Sequence, residues 1–272
     1  MIAHPEHLMQ PGRTFVERYV EVGGVAVNYA QAGEGPDLVM LPTSAGRVFN
    51  PGADLLTGNF RVTMIEPPGW GESPQSQQTL PFRGLAHTTA ATIAAIGIER
   101  YHLSGGSIGA IHALWVAGYY PERVKTLIVD APMAFRRDHW AMPGFDPVAF
   151  VRAAEQGADI SHMLPPAHPR KPWATQEVRE ALMRRILRVL AITGPEFDEE
   201  LAARVAPLDI PVLAIFGALD PIVFPSAADV YRRVLRRCKT AIVAEASHDV
   251  PGEEPELYCE LVRQFLVENA QR

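Results

Sequence analysis

Lysine is scarce in this chain. Lys125, Lys171 and Lys239 are the only ones in 272 residues, and none falls at the end of a stretch that reads as a strand, so chemistry that needs a lysine at a sheet edge is disfavoured. Cysteine is scarcer still. Cys238 and Cys259, both in late segments that read as helical, are too few for a disulfide framework and read as small, buried or half-buried thiols. No apolar run approaches the roughly 18 residues a membrane helix needs. The opening Met1-Ile2-Ala3-His4-Pro5-Glu6-His7 has no basic region followed by an apolar core, so no secretory signal is evident. Basic charge is in deficit, with 25 Lys and Arg against 31 Asp and Glu, a net charge of −6. Phosphate binding wants a basic face, which argues against a nucleic-acid partner. The expectation is a cytoplasmic protein with no membrane or nucleic-acid partner, acting on a small molecule, its oligomeric state (monomer or homodimer) open.

What is plentiful is core-forming material. A hydrophobic fraction of 47% beside 21% charged residues allows one large domain, or a core carrying a modest insertion. Phe15–Val22 and Val25–Ala30 alternate apolar and polar residues around Gly23-Gly24, the pattern of a hairpin. Asp37–Leu41, Phe60–Ile65, Tyr101–Leu103, Val124–Val129, Val212–Phe216 and Thr240–Val243 read as strands, most of them the short continuous runs of a parallel sheet buried on both faces. Helical patterns separate them: a short one after Arg47, then Leu80–Ile98, the run after Gly109, Pro225–Arg237 and Pro255–Val267. This alternation predicts an α/β fold with a doubly wound, mostly parallel sheet and right-handed crossovers. From Met133 to about Ala206 it stops. The stretch is rich in Pro, His, Arg, Met and aromatics and reads as an inserted helical cap, so residues 1–132 and 207–272 form the core and 133–206 the cap.

The chain is organised around Gly105-Gly106-Ser107-Ile108-Gly109, which fits G-x-S-x-G between a strand and a helix. A nucleophilic serine has to project from a tight, strained bend. A Cβ two positions away on either side would strike the crossing backbone, and glycine removes that collision. The helix that follows points N–H groups and a positive dipole end at any oxyanion formed there. A serine is a poor nucleophile without a base within hydrogen-bond reach. His248, in the loop Glu245–Pro251 after the last strand, is the one histidine of nine at the sheet's carboxyl edge late in the chain. The third group must accept from the other ring nitrogen. Asp220 is favoured; Asp130, at the end of the preceding strand, and Asp249 are its rivals.

On these residues the sequence resembles an α/β-hydrolase of the small, capped kind, from about Val20 to Phe265. The matching pieces are Leu38–Gly46, the turn Glu66–Ser73, the elbow, Tyr120-Pro121-Glu122-Arg123-Val124, Phe216-Gly217-Ala218-Leu219-Asp220, and Ser247-His248. The family's order is nucleophile, acid, histidine, and Ser107, Asp220 and His248 reproduce it, although some members place the acid where Asp130 stands. The resemblance implies an oxyanion hole from two backbone N–H groups. Ile108 supplies one by its place after the nucleophile. The other comes from the loop after Leu41, where relatives carry His-Gly and this chain has Pro42-Thr43; by position Ser44 donates, with Thr43 the alternative. Glu66 stands where relatives usually have Asp and reads as a carboxylate capping nearby backbone.

For substrate contact the candidates are Trp70, Phe135, Arg136 and Trp140. Aromatic and methionine residues in the cap, Met133 among them, suit an apolar acyl or ring-containing ligand, though many serve only to join cap to core. Arg136, Arg137, His139 and Arg47 are cations near the presumed mouth, able to hold a carboxylate but read first as solvated surface. Metal ligation is unsupported, since His4, His7, His162 and His168 lack acidic or cysteine partners. A nucleotide fingerprint is also missing, so no cofactor is expected. The expected reaction is acyl transfer to water: cleavage of an ester, lactone, thioester or carbonyl-adjacent C–C bond through an acyl-enzyme. A cofactor-free perhydrolase or haloperoxidase, or a hydroxynitrile lyase, would use the same triad. The lysine shortage counts against the lyase, and the filled triad counts against a mere binding protein.

Overall fold

Two residue patterns divide the sheet of this computed structural model into an antiparallel margin and a parallel centre; the described residues are 11–44, 46–70, 73, 82–135, 175–179 and 198–269. At the margin, alternation gives β1 (Val16–Val22) and β2 (Val25–Ala32), paired antiparallel from Val16 opposite Gln31 to Val22 opposite Val25. Gly23 and Gly24 both take positive φ, 58° and 79°, which a two-residue turn of this hand requires. The continuous apolar runs become β3 (Asp37–Leu41), β4 (Arg61–Glu66), β5 (Tyr101–Gly106), β6 (Val124–Asp130) and β7 (Val212–Gly217), buried over almost their whole length, with β8 (Cys238–Val243) at the far edge. The order across the sheet is β1-β2-β4-β3-β5-β6-β7-β8. Every pairing beyond β2·β4 is parallel.

Alternate residues of the central strands feed two separate apolar layers. Val39, Leu41, Leu103 and Val129 pack on one face with α2 (Phe82–Ala95), α3 (Ile108–Tyr119), α4 (Glu199–Val205) and α5 (Ala228–Val234). Leu38, Met40, Ile128 and Leu213 pack on the other with α1 (Pro51–Leu56), α6 (Val250–Glu253) and α7 (Pro255–Glu268). Helix α3 is apolar nearly all round and is buried from Ile108 to Ala117 but for Ile111, as a helix without a polar face must be. Each fully buried Leu, Ile or Phe contributes about 1.5–3 kcal/mol by leaving water.

Three local expectations are corrected. Cys238 begins β8, opposite Val212, rather than lying in a helix. The helix expected over Pro225–Arg237 opens as a 3-10 turn at Pro225–Ala227 and ends at Val234, because Leu235 turns to extended backbone (φ −103°, ψ 119°) and leaves only a short link to β8. Arg47 is 8% exposed rather than solvated. Its guanidinium donates to the Asn28 side chain and pairs with Glu17 at 2.5 Å. Of the stretch read as a cap, only 133–135, 175–179 and 198–206 are among the described residues. Within it, α4 is N-capped by Asp198, whose carboxylate accepts from Leu201 N at 3.0 Å, and buries Leu201 and Val205 in the layer that holds α3.

Candidate active site

The parallel strands all point their carboxyl ends to one edge, and three loops there bring distant residues together. At the end of β5 the chain reverses sharply into α3. Ser107, at the bend, has φ 54° and ψ −120°, a region that L-residues other than glycine avoid and that persists only where its surroundings enforce it. Both outer glycines of the motif are required by contact. A Cβ on Gly105 would lie 2.3 Å from the Gly109 carbonyl oxygen, and one on Gly109 would lie 2.5 Å from the Pro42 carbonyl oxygen. The elbow is therefore wedged between its own helix and the loop after β3. Ser107 N donates to the Asp130 carbonyl at 2.8 Å and its carbonyl accepts from Met133 N at 3.1 Å, which ties the bend to the loop after β6.

The loops after β7 and β8 supply the other two groups. Asp220 accepts from Ile222 N at 2.7 Å and Val223 N at 3.0 Å through one carboxylate oxygen. Its other oxygen accepts from His248 Nδ1 at 2.9 Å. His248 Nε2 then faces Ser107 Oγ, also at 2.9 Å. The order acid–imidazole–hydroxyl is the one general-base activation of a serine needs. Burial decides which ends are protected: the Asp220 side chain is wholly enclosed, whereas that of His248 keeps 25% of its surface. The two loops are tied together, with Leu219 N donating to the Ala246 carbonyl at 2.9 Å.

The other acids do not reach this line. Asp130 is buried under the elbow, where burial, reinforced by the Asp249 charge and opposed by His248, raises its carboxyl to about 7. Asp249 instead caps α6, accepting from Gly252 N at 3.2 Å. Two other histidines behave as core residues. His102 meets Thr126 Oγ1 at 2.9 Å and His112 meets Thr89 Oγ1 at 3.0 Å, and burial lowers each to about 4.

Around Ser107, Ile108 opens α3, so its N–H is the first of the helix's unpaired amides. Ser44 lies in the loop after β3. The carbonyl of Thr43, in the same peptide as the Ser44 N–H, accepts from Gly46 N at 3.1 Å and from Trp70 Nε1 at 3.2 Å. Trp70 is 1% exposed and packs beside Phe82, with ring centres 5.9 Å apart; its N–H fixes that loop from behind. Glu66 accepts from Arg47 N at 3.1 Å, the backbone-capping role its position suggested. Phe135, at φ 59°, sets its ring 5.4 Å from that of Tyr231, whose hydroxyl donates to the Ala134 carbonyl. Arg136 and Trp140 lie outside the described residues. Among the described residues no cluster of His, Cys, Asp and Glu is arranged to hold a metal ion.

Two contacts were not foreseen from sequence. Met133 Sδ sits 3.1 Å from Ser107 Oγ, sharing the hydroxyl with His248; a thioether is the weaker acceptor, so the imidazole takes the proton. Only its place three residues past Asp130 hints at this. Ser247, next to His248, is bound by the Glu253 carboxylate, and the sole sequence signal is an acid shortly after the histidine.

An eight-stranded, mostly parallel sheet with a strained serine elbow, an acid and a histidine at one edge defines a hydrolase-type α/β protein. The chain belongs to the alpha/beta hydrolase fold family, whose model matches residues 41–255. It is similar to the pimeloyl-(acyl-carrier protein) methyl ester esterase of Aeromonas hydrophila, at 27% identity over 89% of this chain and 100% of that protein. It is also similar to the 2-hydroxy-6-oxo-6-phenylhexa-2,4-dienoate hydrolase of Comamonas testosteroni, at 33% identity over 42% of this chain and 43% of that one. Among solved structures, naproxen esterase of Bacillus subtilis superposes with a TM-score of 0.73 at 17% identity, covering 95% and 93% of the two chains. Family and relatives together mark the chain as a hydrolase.

Proposed function

We propose that this protein is a serine hydrolase that cleaves an ester, lactone, thioester or carbonyl-adjacent C–C bond of a small, largely apolar substrate through an acyl-enzyme. The observation that carries this reading is the unbroken line from Asp220 through His248 to Ser107, each contact 2.9 Å long. His248 takes the serine proton as Ser107 attacks the carbonyl and returns it to the leaving group; Asp220 fixes the tautomer and stabilises the imidazolium. The N–H groups of Ile108 and Ser44 receive the oxyanion. Water, activated by the same histidine, releases the acyl group. An ester is the first choice of substrate, because a relative similar along nearly the whole chain is a methyl ester esterase; the dienoate hydrolase supports the C–C alternative over a shorter stretch. We assign 133–206 as a cap over the site, with Phe135, Arg136 and Trp140 as substrate contacts. A cytoplasmic setting fits the two free thiols.

The test is hydrolysis of a short-chain aryl ester by Ser107→Ala. Turnover is expected to vanish while the melting temperature holds; unchanged hydrolysis would sink the reading. Assaying the wild-type protein for peroxide-dependent halogenation in acetate buffer separates a perhydrolase from a hydrolase. Acyl substrates of graded length and carboxylation, run with Arg136 and Arg137 variants, then narrow the substrate.

A further inference from the structure

The imidazole of His248 is held at both nitrogens, yet its backbone lies in a loop between β8 and the four-residue α6. That loop needs its own supports if Nε2 is to stay on Ser107. On one side the support is close contact: a Cβ on Gly217 would lie 2.0 Å from the Ser247 carbonyl oxygen, so the absent side chain lets the histidine loop lie directly on the end of β7. On the other side stands Glu253, the last residue of α6 and 3% exposed. One of its carboxylate oxygens accepts from Ser247 N at 2.5 Å and the other from Ser247 Oγ at 2.7 Å.

A carboxylate is expensive to bury unless donors satisfy it. This one grips the residue bonded to His248 by both a backbone and a side-chain donor, in short, charge-assisted bonds. Helix α6 makes the grip rigid. Asp249 caps it, and Glu253 N bonds back to the Asp249 carbonyl at 2.9 Å. The chain from Ser247 to Glu253 is thus a closed loop with the histidine near its start.

We propose that Glu253 is a positioning residue that, by clamping Ser247, holds the backbone of His248 so that the imidazole meets Ser107 and Asp220 together. This rests on His248 being the catalytic base. Loss of the clamp frees the Ser247–His248 peptide to rotate. Since misplacement by about 1 Å costs up to about 100-fold in rate, the effect falls on kcat rather than on substrate binding.

The test measures kcat and KM on an aryl ester for Glu253→Ala, Glu253→Gln and Ser247→Ala, each normalised to sites titrated to completion with a fluorophosphonate, and for His248→Ala, normalised to folded protein. Glu253→Ala is expected to lower kcat per site about 30-fold with KM within about twofold. Glutamine can keep both contacts, its carbonyl accepting from Ser247 N and its amide donating to Ser247 Oγ, so Glu253→Gln is expected within about fivefold of wild type. Ser247→Ala removes only the side-chain bond and leaves no carbonyl or amide orphaned. It is expected to fold and to lose about fivefold in kcat, with no further loss when added to Glu253→Ala. Wild-type kcat per site in Ser247→Ala or Glu253→Ala, or alanine and glutamine behaving alike at position 253, would overturn the clamp. His248→Ala separates the two levels. If it turns over normally the base assignment itself fails; if it is dead while Ser247→Ala is unimpaired, only the clamp fails.

Discussion

Strands β6 and β7 are neighbours, run the same way and end in similar pieces of sequence, each with an aspartate at or just past its carboxyl end. Asp130 and Asp220 are 6% and 3% exposed. Their fates differ because of what faces them. Asp220 has the imidazole of His248 and two backbone N–H groups. Asp130 has the charge of Asp249 nearby, and although the Tyr258 hydroxyl and His248 favour its ionised form, burial outweighs them and raises it to about 7. An acid at a sheet edge is not yet a catalytic acid. It becomes one when donors stabilise its charge and a histidine arrives from a third loop.

The comparison is most easily broken at activity. Asp220→Asn removes the charge and the tautomer control, and kcat is expected to fall about 10⁴-fold; Asp130→Asn should stay within about threefold of wild type in the same ester assay, since its carboxyl touches neither Ser107 Oγ nor the His248 ring. Equal losses in the two variants would erase the distinction drawn between the strands.

Met133 sharpens it next. The loop after β6 offers the Ser107 hydroxyl a thioether rather than an acid. Truncation by Met133→Ala opens space beside the Ser107 hydroxyl, where the proposed acyl-enzyme would carry its acyl group. It is expected to raise kcat/KM for a branched acyl ester over acetate about tenfold, the low end of what one methylene confers in an apolar pocket. An unchanged acyl profile contradicts that placement.

The smallest effect is on stability. The folded-state value of Asp130 lies above its ordinary one, so between those values the folded protein holds a proton that the unfolded chain gives up. Stability from this group is therefore complete below the ordinary aspartate range and is lost as pH rises through about 7. Asp130→Asn removes that loss. Its melting temperature, followed by circular dichroism, should gain on wild type as pH rises, the gap widening by at least about 2–4 °C between pH 5 and pH 8. A gap that shrinks as pH rises reverses the sign and contradicts a protonated Asp130.

Much of this was legible in the residues. Gly105 and Gly109 announced the elbow because the collision they avoid is local in sequence. The hairpin at Gly23-Gly24 and the buried central strands followed from periodicity. Ser107, Asp220 and His248, which the fold brings into contact, stand out in sequence because each sits just past a strand. What escaped depends on pairs far apart in the chain. Arg47 looked solvated because its partners, Glu17 and Asn28, come from the hairpin. Cys238 looked helical because the basic stretch before it continues the pattern of α5, and only pairing with β7 decides where the strand begins. Trp70 reads as a substrate contact by its place in the turn, but it is 1% exposed and its hydrogen bond to Thr43 spans 27 residues, a pairing that local pattern does not carry.

The central claim is that Ser107 is activated by His248 and Asp220, with Asp130 a bystander. The most direct measurement is the rate at which a fluorophosphonate labels Ser107, located by peptide mass, in wild type, Asp220→Asn and Asp130→Asn. The account predicts that wild type and Asp130→Asn label at rates within about threefold of each other, while Asp220→Asn labels at least about 10³-fold more slowly. Fast labelling in Asp220→Asn together with slow labelling in Asp130→Asn would contradict it and move the acid to the end of β6.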